Sequence, residues 1–165
     1  MRKTMKKMKQ LLGFTMVTSA MLAGAAHAEG ALSGTVSLTS DYVFRGVTQT
    51  LNDPALQASL DYSDGAFYAG VWGSNVDFGI DESVEVDAYI GLKPTAGPFS
   101  FDFALIGYLY PGSTDAGGEY DYFEAKAAAS IAPAEGFTLG AALYYSPDFF
   151  LETGDAYYAE INGAY

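Results

Sequence analysis

The sequence predicts an all-β protein: an antiparallel up-and-down outer-membrane β-barrel with about eight strands in this chain, preceded by a cleaved signal peptide. Three observations carry this expectation. Apolar residues recur with a period of two rather than 3.6 along most of the chain. All six prolines (Pro54, Pro94, Pro98, Pro111, Pro133, Pro147) fall between or at the ends of the alternating segments, where a missing N–H does no harm. The connections tend to alternate between longer acidic ones and short ones, as expected when one rim of a barrel carries turns and the other carries loops.

The leader comes first. Arg2, Lys3, Lys6, Lys7 and Lys9 precede an uncharged, largely apolar run over 11–23 and the small-x-small triplet Ala26-His27-Ala28. Basic flank, short apolar stretch and cleavage-type triplet together read as a secretory signal peptide over 1–28, leaving 29–165 as a single β-barrel domain. Removing it takes away five of the eight basic residues and none of the 20 acidic ones. Arg45, Lys93 and Lys126 remain, and the formal charge moves from −12 to about −17. Nucleic acid is therefore excluded as a partner, because phosphate binding needs a basic surface. The one histidine, His27, leaves with the leader, and the chain has no cysteine. Nucleophilic triads, disulfides and His/Cys zinc sites are excluded with them, so neither an enzyme nor a cofactor or metal is expected. With 13 Tyr and 11 Phe the chain is too aromatic for acidic disorder.

Eight segments follow in order. In 32–45, Leu32, Val36, Leu38, Tyr42 and Phe44 alternate with Ser33, Thr35, Ser37, Thr39, Asp41 and Arg45. In 56–62, Leu56, Ala58, Leu60 and Tyr62 alternate with Gln57, Ser59 and Asp61. Segment 67–75 is apolar or small on both faces, and Ser63-Asp64-Gly65 before it signals a hairpin. The cleanest case is 84–92, where Val84, Val86, Ala88, Ile90 and Leu92 oppose Glu85, Asp87, Tyr89 and Gly91. Phe99, Phe101, Phe103, Leu105 and Leu109 oppose Ser100, Asp102, Ala104 and Tyr108. Segment 123–131 is alanine-rich and helix-compatible, but Glu124, Lys126 and Ser130 share one parity. Phe137, Leu139, Ala141, Leu143 and Tyr145 then oppose Thr138, Gly140, Tyr144 and Ser146, and 157–165 places Ala159 and Ile161 opposite Glu160 and Asn162.

The strand charges all lie on the polar faces. A soluble calyx would solvate that face and bury the apolar one, whereas a membrane barrel inverts the arrangement. A lipid-facing Arg or Lys costs roughly 2–4 kcal/mol at mid-bilayer, which gives a reason for the empty apolar face. The leader, the loop alternation and aromatics at strand ends (Tyr42, Phe44, Tyr62, Phe99, Phe137, Tyr145) favour the membrane, with the aromatics as interfacial girdles.

One block is distinctive: Ser37-Leu-Thr-Ser-Asp-Tyr-Val-Phe-Arg-Gly-Val-Thr-Gln-Thr50. With Pro54-Ala-Leu-Gln-Ala-Ser-Leu-Asp-Tyr62, Phe67-Tyr-Ala-Gly-Val-Trp-Gly-Ser-Asn-Val-Asp-Phe78, Glu85-Val-Asp-Ala-Tyr-Ile-Gly91 and Tyr157-Tyr-Ala-Glu160, it resembles the TorF porin family. That family is also described as the bacterial domain of unknown function Gcw_chp. The resemblance implies an outer-membrane barrel with porin-like transport and carries over no catalytic or ligand residue. Members of the family usually continue for several strands beyond this point, so the chain reads as truncated at its C-terminus.

The candidate lumen residues are Asp41, Arg45, Asp61, Glu85, Asp87, Asp102, Glu124 and Lys126. An acidic band of Glu85, Asp87, Asp102 and Glu124 would favour cations if water passes, although eight strands enclose little more than their own side chains. Arg45 is expected in an ion pair among these acids. The acidic loops (Asp77, Asp81, Glu82; Asp115, Glu119, Asp121) lack the ordered spacing of a calcium loop and read as solvated surface. The expected function is a channel in the outer membrane of a Gram-negative bacterium, in contact with lipid and passing small hydrophilic solutes or cations. Two other readings stay open: a closed structural or adhesive barrel, and a soluble periplasmic calyx.

Overall fold

The computed structural model describes residues 18–23, 30–79, 83–112 and 119–165. Twelve strands occur in it: β1 (Thr18–Ala23), β2 (Ala31–Thr39), β3 (Val43–Phe44), β4 (Val47–Thr48), β5 (Ala55–Asp64), β6 (Phe67–Asn75), β7 (Val84–Leu92), β8 (Thr95–Ala96), β9 (Phe99–Leu109), β10 (Tyr122–Ala134), β11 (Phe137–Ser146) and β12 (Ala156–Ala164). A 3-10 turn over Phe150–Glu152 precedes the last. One antiparallel sheet runs β1-β2-β5-β6-β7-β9-β10-β11-β12, with β8 paired on β9, while β3 and β4 form a separate hairpin. Among the described residues the ladders end at β1 on one side and β12 on the other.

The eight expected segments are β2, β5, β6, β7, β9, β10, β11 and β12, each antiparallel to its neighbour in sequence. The alanine-rich segment is a strand, the longest of all, because ladders on both sides, to β9 and β11, outweigh its helical propensity. Most of the expected leader lies outside the described residues. Six residues within it form β1 on the free edge of β2, pairing Thr18 with Leu38 through Ala23 with Ser33.

The described residues of the long connections, over 40–54, 76–79, 110–112, 119–121 and 147–155, gather at one end, and the short turns gather at the other. The faces are inverted relative to a soluble protein. Leu56, Leu60, Ile90, Phe103, Leu105 and Leu143 are each about half exposed on the outer face. Inside, Glu85 and Glu124 are only 2 % exposed. The buried apolar cluster is small and aromatic, Val76 with Tyr108, Tyr110, Tyr120 and Tyr122, and it sits at the loop end of the interior.

The first expected strand is overturned in its second half. β2 stops at Thr39, whose hydroxyl donates to the Asp41 carbonyl (2.9 Å), and the chain then turns inward as the β3–β4 hairpin. Arg45 and Gly46 form its tip with φ of 49° and 86°, the left-handed values that a reversal requires. Tyr42 and Phe44 therefore face the interior and are not girdle residues; Tyr62 and Phe99 remain exposed on the outside.

Candidate functional site: a lumen closed by an inward hairpin

The polar side chains of the sheet converge on its concave side. Near the loop end the β3–β4 hairpin fills this space. Arg45 donates two parallel hydrogen bonds to Glu124 of β10, both at 2.7 Å, a bidentate pair with side-chain exposures of 16 % and 3 %. Its guanidinium lies over the rings of Phe44 (4.5 Å), Tyr144 of β11 (4.7 Å) and Tyr158 of β12 (4.1 Å). Glu124 also accepts from the Tyr108 hydroxyl of β9 at 3.1 Å. On the other side of the hairpin, Tyr42 donates to Glu85 of β7 (2.8 Å) and packs edge-on against Trp72 of β6, with ring centroids 5.3 Å apart. One short hairpin thus touches walls from β6 round to β12, which requires the sheet to curl around it.

Glu85 receives a second phenol, Tyr110, at 2.9 Å. Burial first, then the charge of Glu85, pushes Tyr42 and Tyr110 well above the usual 10.0 of tyrosine. Asp87 lies one turn of the pleat further along β7, opposite Trp72, and its Oδ1 is buried without a hydrogen bond among the described residues.

Toward the short-turn end the interior is held by a reciprocal device. Tyr68 of β6 lies across Gly91 of β7 and reaches Asp102 of β9 at 2.6 Å. Tyr89 of β7 lies across Gly70 of β6 and donates to Asp61 of β5. Each tyrosine crosses a neighbouring strand because a glycine leaves the room. Lys126 pairs with Asp102 at 2.7 Å, and Lys93 stacks over the Tyr68 ring at 4.4 Å. A cavity of about 430 Å³, lined by Lys93, Ser100, Asp102, Lys126, Ser130 and Glu160 among others, opens here. The lumen is accordingly open toward the turns and occupied by the hairpin toward the loops.

Of the eight candidates, the structure brings Arg45 to Glu124 and Asp102 to Lys126, and places Asp61, Glu85 and Asp87 on the same inner surface. The ion pair expected of Arg45 is present, but Asp41 is no wall residue and does not share a strand with it. Asp41 sits within the first loop and accepts from Thr48 (2.7 Å) and Thr50 (3.0 Å), fixing the base of the hairpin. Sequence reading missed Lys93 and the tyrosines that carry the acids. The signal was there for Tyr89 and Tyr108, which share parity with the charges of their own strands.

The acidic loops lie partly outside the described residues, including Asp81, Glu82 and Asp115. Asp77 caps Gly79 N (2.8 Å) and Asp121 accepts from Tyr110 N (2.7 Å). No group of three metal-ligating side chains occurs among the described residues.

A family model for bacterial proteins of unknown function, Gcw_chp, matches residues 23–165, which takes in every long strand of the wall. The chain belongs to the Gcw_chp family. No curated protein and no solved structure matches this Gcw_chp chain.

Proposed function

We propose that this Gcw_chp protein is an outer-membrane barrel of the TorF porin type. In this reading it is exported by a cleaved leader and passes small hydrophilic solutes or ions across the outer membrane of a Gram-negative bacterium, without catalysis. The observation that carries the reading is the inversion of faces: aliphatic and aromatic side chains around the outside, carboxylates and ion pairs within. In water such an outer surface would be a large unexplained apolar patch, whereas in lipid it is the solvated face. A soluble calyx would need the opposite arrangement.

Among the described residues, six acidic groups (Asp61, Glu85, Asp87, Asp102, Glu124, Glu160) and three basic ones (Arg45, Lys93, Lys126) surround the interior, so cations are the favoured solutes. Passage requires the β3–β4 hairpin to move, since it lies across the interior from Glu85 to Glu124. Refolded protein spanning 29–165, recorded in planar bilayers under a salt gradient, is expected to give brief openings whose reversal potential favours cations. Silence from protein with heat-shifted gel mobility would overturn the channel. The hairpin favours one second reading, a permanently closed structural or adhesive barrel whose acidic loops face outward, and that outcome would select it.

A further inference from the structure

A second cavity, about 370 Å³, lies at the loop end of the hairpin, apart from the hollow near the turns. Its walls are aromatic: Phe44, Phe78, Tyr110, Tyr122, Phe149 and Phe150. All four long connections or their ends contribute, so the cavity exists only where the loops converge. The rings brace one another, with centroid separations of 5.8 Å for Phe78–Tyr110, 5.6 Å for Phe78–Phe150, 5.5 Å for Tyr110–Phe150 and 4.7 Å for Tyr122–Phe149. The size is that of a small-molecule site.

Three of the polar side chains beside it are already engaged. Thr48 donates to Asp41, Gln49 to the Val47 carbonyl, and the Tyr110 hydroxyl to Glu85. Arg45 borders the cavity, but its charge is matched by Glu124 and its guanidinium is seated on Phe44. The cavity therefore offers ring faces and edges more than hydrogen bonds. Around it the loops carry Asp77, Glu119, Asp121, Asp148 and Glu152, while the two lysines beyond the leader line the far cavity. Acidic loops concentrate cations, and the negative face of an aromatic ring holds them. A metal ion would have to shed its water with no carboxylate in the lining to replace it, so an inorganic cation is unsuited to this pocket.

We propose that this aromatic cavity binds a small organic cation of the alkylammonium or quaternary ammonium class. The proposal goes beyond the channel reading and does not require conduction. It is tested on the full chain, expressed with its leader and purified into lipid nanodiscs, with binding measured by calorimetry against empty nanodiscs. The probes are choline and its uncharged isostere 3,3-dimethylbutan-1-ol, which has the same shape without the charge. Choline should bind about tenfold more tightly than the isostere. Phe78→Leu and Phe150→Leu, which keep bulk and remove a ring, should each weaken choline about threefold or more while heat-shifted gel mobility is retained. Equal affinity for the two probes, no choline binding, or choline binding unchanged in both variants would each overturn the proposal.

Discussion

Arg45 shows how much one side chain can organise. It is neutralised by Glu124, flanked by three rings, and held at a backbone φ of 49° that a non-glycine residue adopts only when its surroundings compel it. Breaking a buried pair by removing one partner leaves a stranded charge, so Glu124→Gln is expected to cost roughly 3–5 kcal/mol. Replacing both at once, Arg45→Leu with Glu124→Leu, should cost less than either single change, as read from unfolding midpoints in detergent. The phenols around Glu85 give a second test. Their folded pKa values lie above the unfolded 10.0, so their contribution to stability is complete below that pH and fades as pH rises through the folded values. A spectrophotometric titration should show most tyrosines ionising near pH 10, with Tyr42 and Tyr110 ionising only as the fold is lost. Tyr42→Phe and Tyr110→Phe should each remove part of that late component.

Between neighbouring strands, β6 and β7 exchange glycine and tyrosine in a reciprocal pair. A Cβ at Gly70 would sit 2.7 Å from the Tyr89 ring, so Gly70→Ala must push that ring off Asp61. Overpacking of this kind costs roughly 1–3 kcal/mol. At Gly107 the nearest atom to an added Cβ is 3.9 Å away, so Gly107→Ala is the matched substitution expected to change little in the same unfolding measurement. This pair was only half legible in the sequence. Alternation located the eight wall strands other than β1 and put Tyr89 and Gly91 on the charged face, but it assigned no faces in β6, where both parities are apolar or small. It failed at Tyr42 and Phe44 for a physical reason. Their spacing continues the rhythm of β2, and an apolar residue facing lipid looks the same in sequence as one packed inside by a returning hairpin. The contacts that separate the two cases lie far along the chain, at Trp72 and Tyr108.

Across the whole molecule, charge and apolarity have exchanged places. Arg45, Lys93 and Lys126 all lie against the interior, while acid crowds the loops. The alternating faces and unequal connections predicted the inverted wall, and the resemblance in the first block agreed with the family. The filling of the lumen was not predictable, because it depends on distant partners meeting. Those distances carry a consequence in time. Arg45 is 79 residues from Glu124, and it also rests on Tyr158 in the last strand. The seat for its guanidinium does not exist until β12 has been laid beside β11, and closing so long a loop is costly before its contacts form. A folding chain therefore raises its wall first, with a wet interior and a loose first hairpin. Drying of that interior waits for the last strand, so the N-terminal hairpin is among the last elements to come to rest.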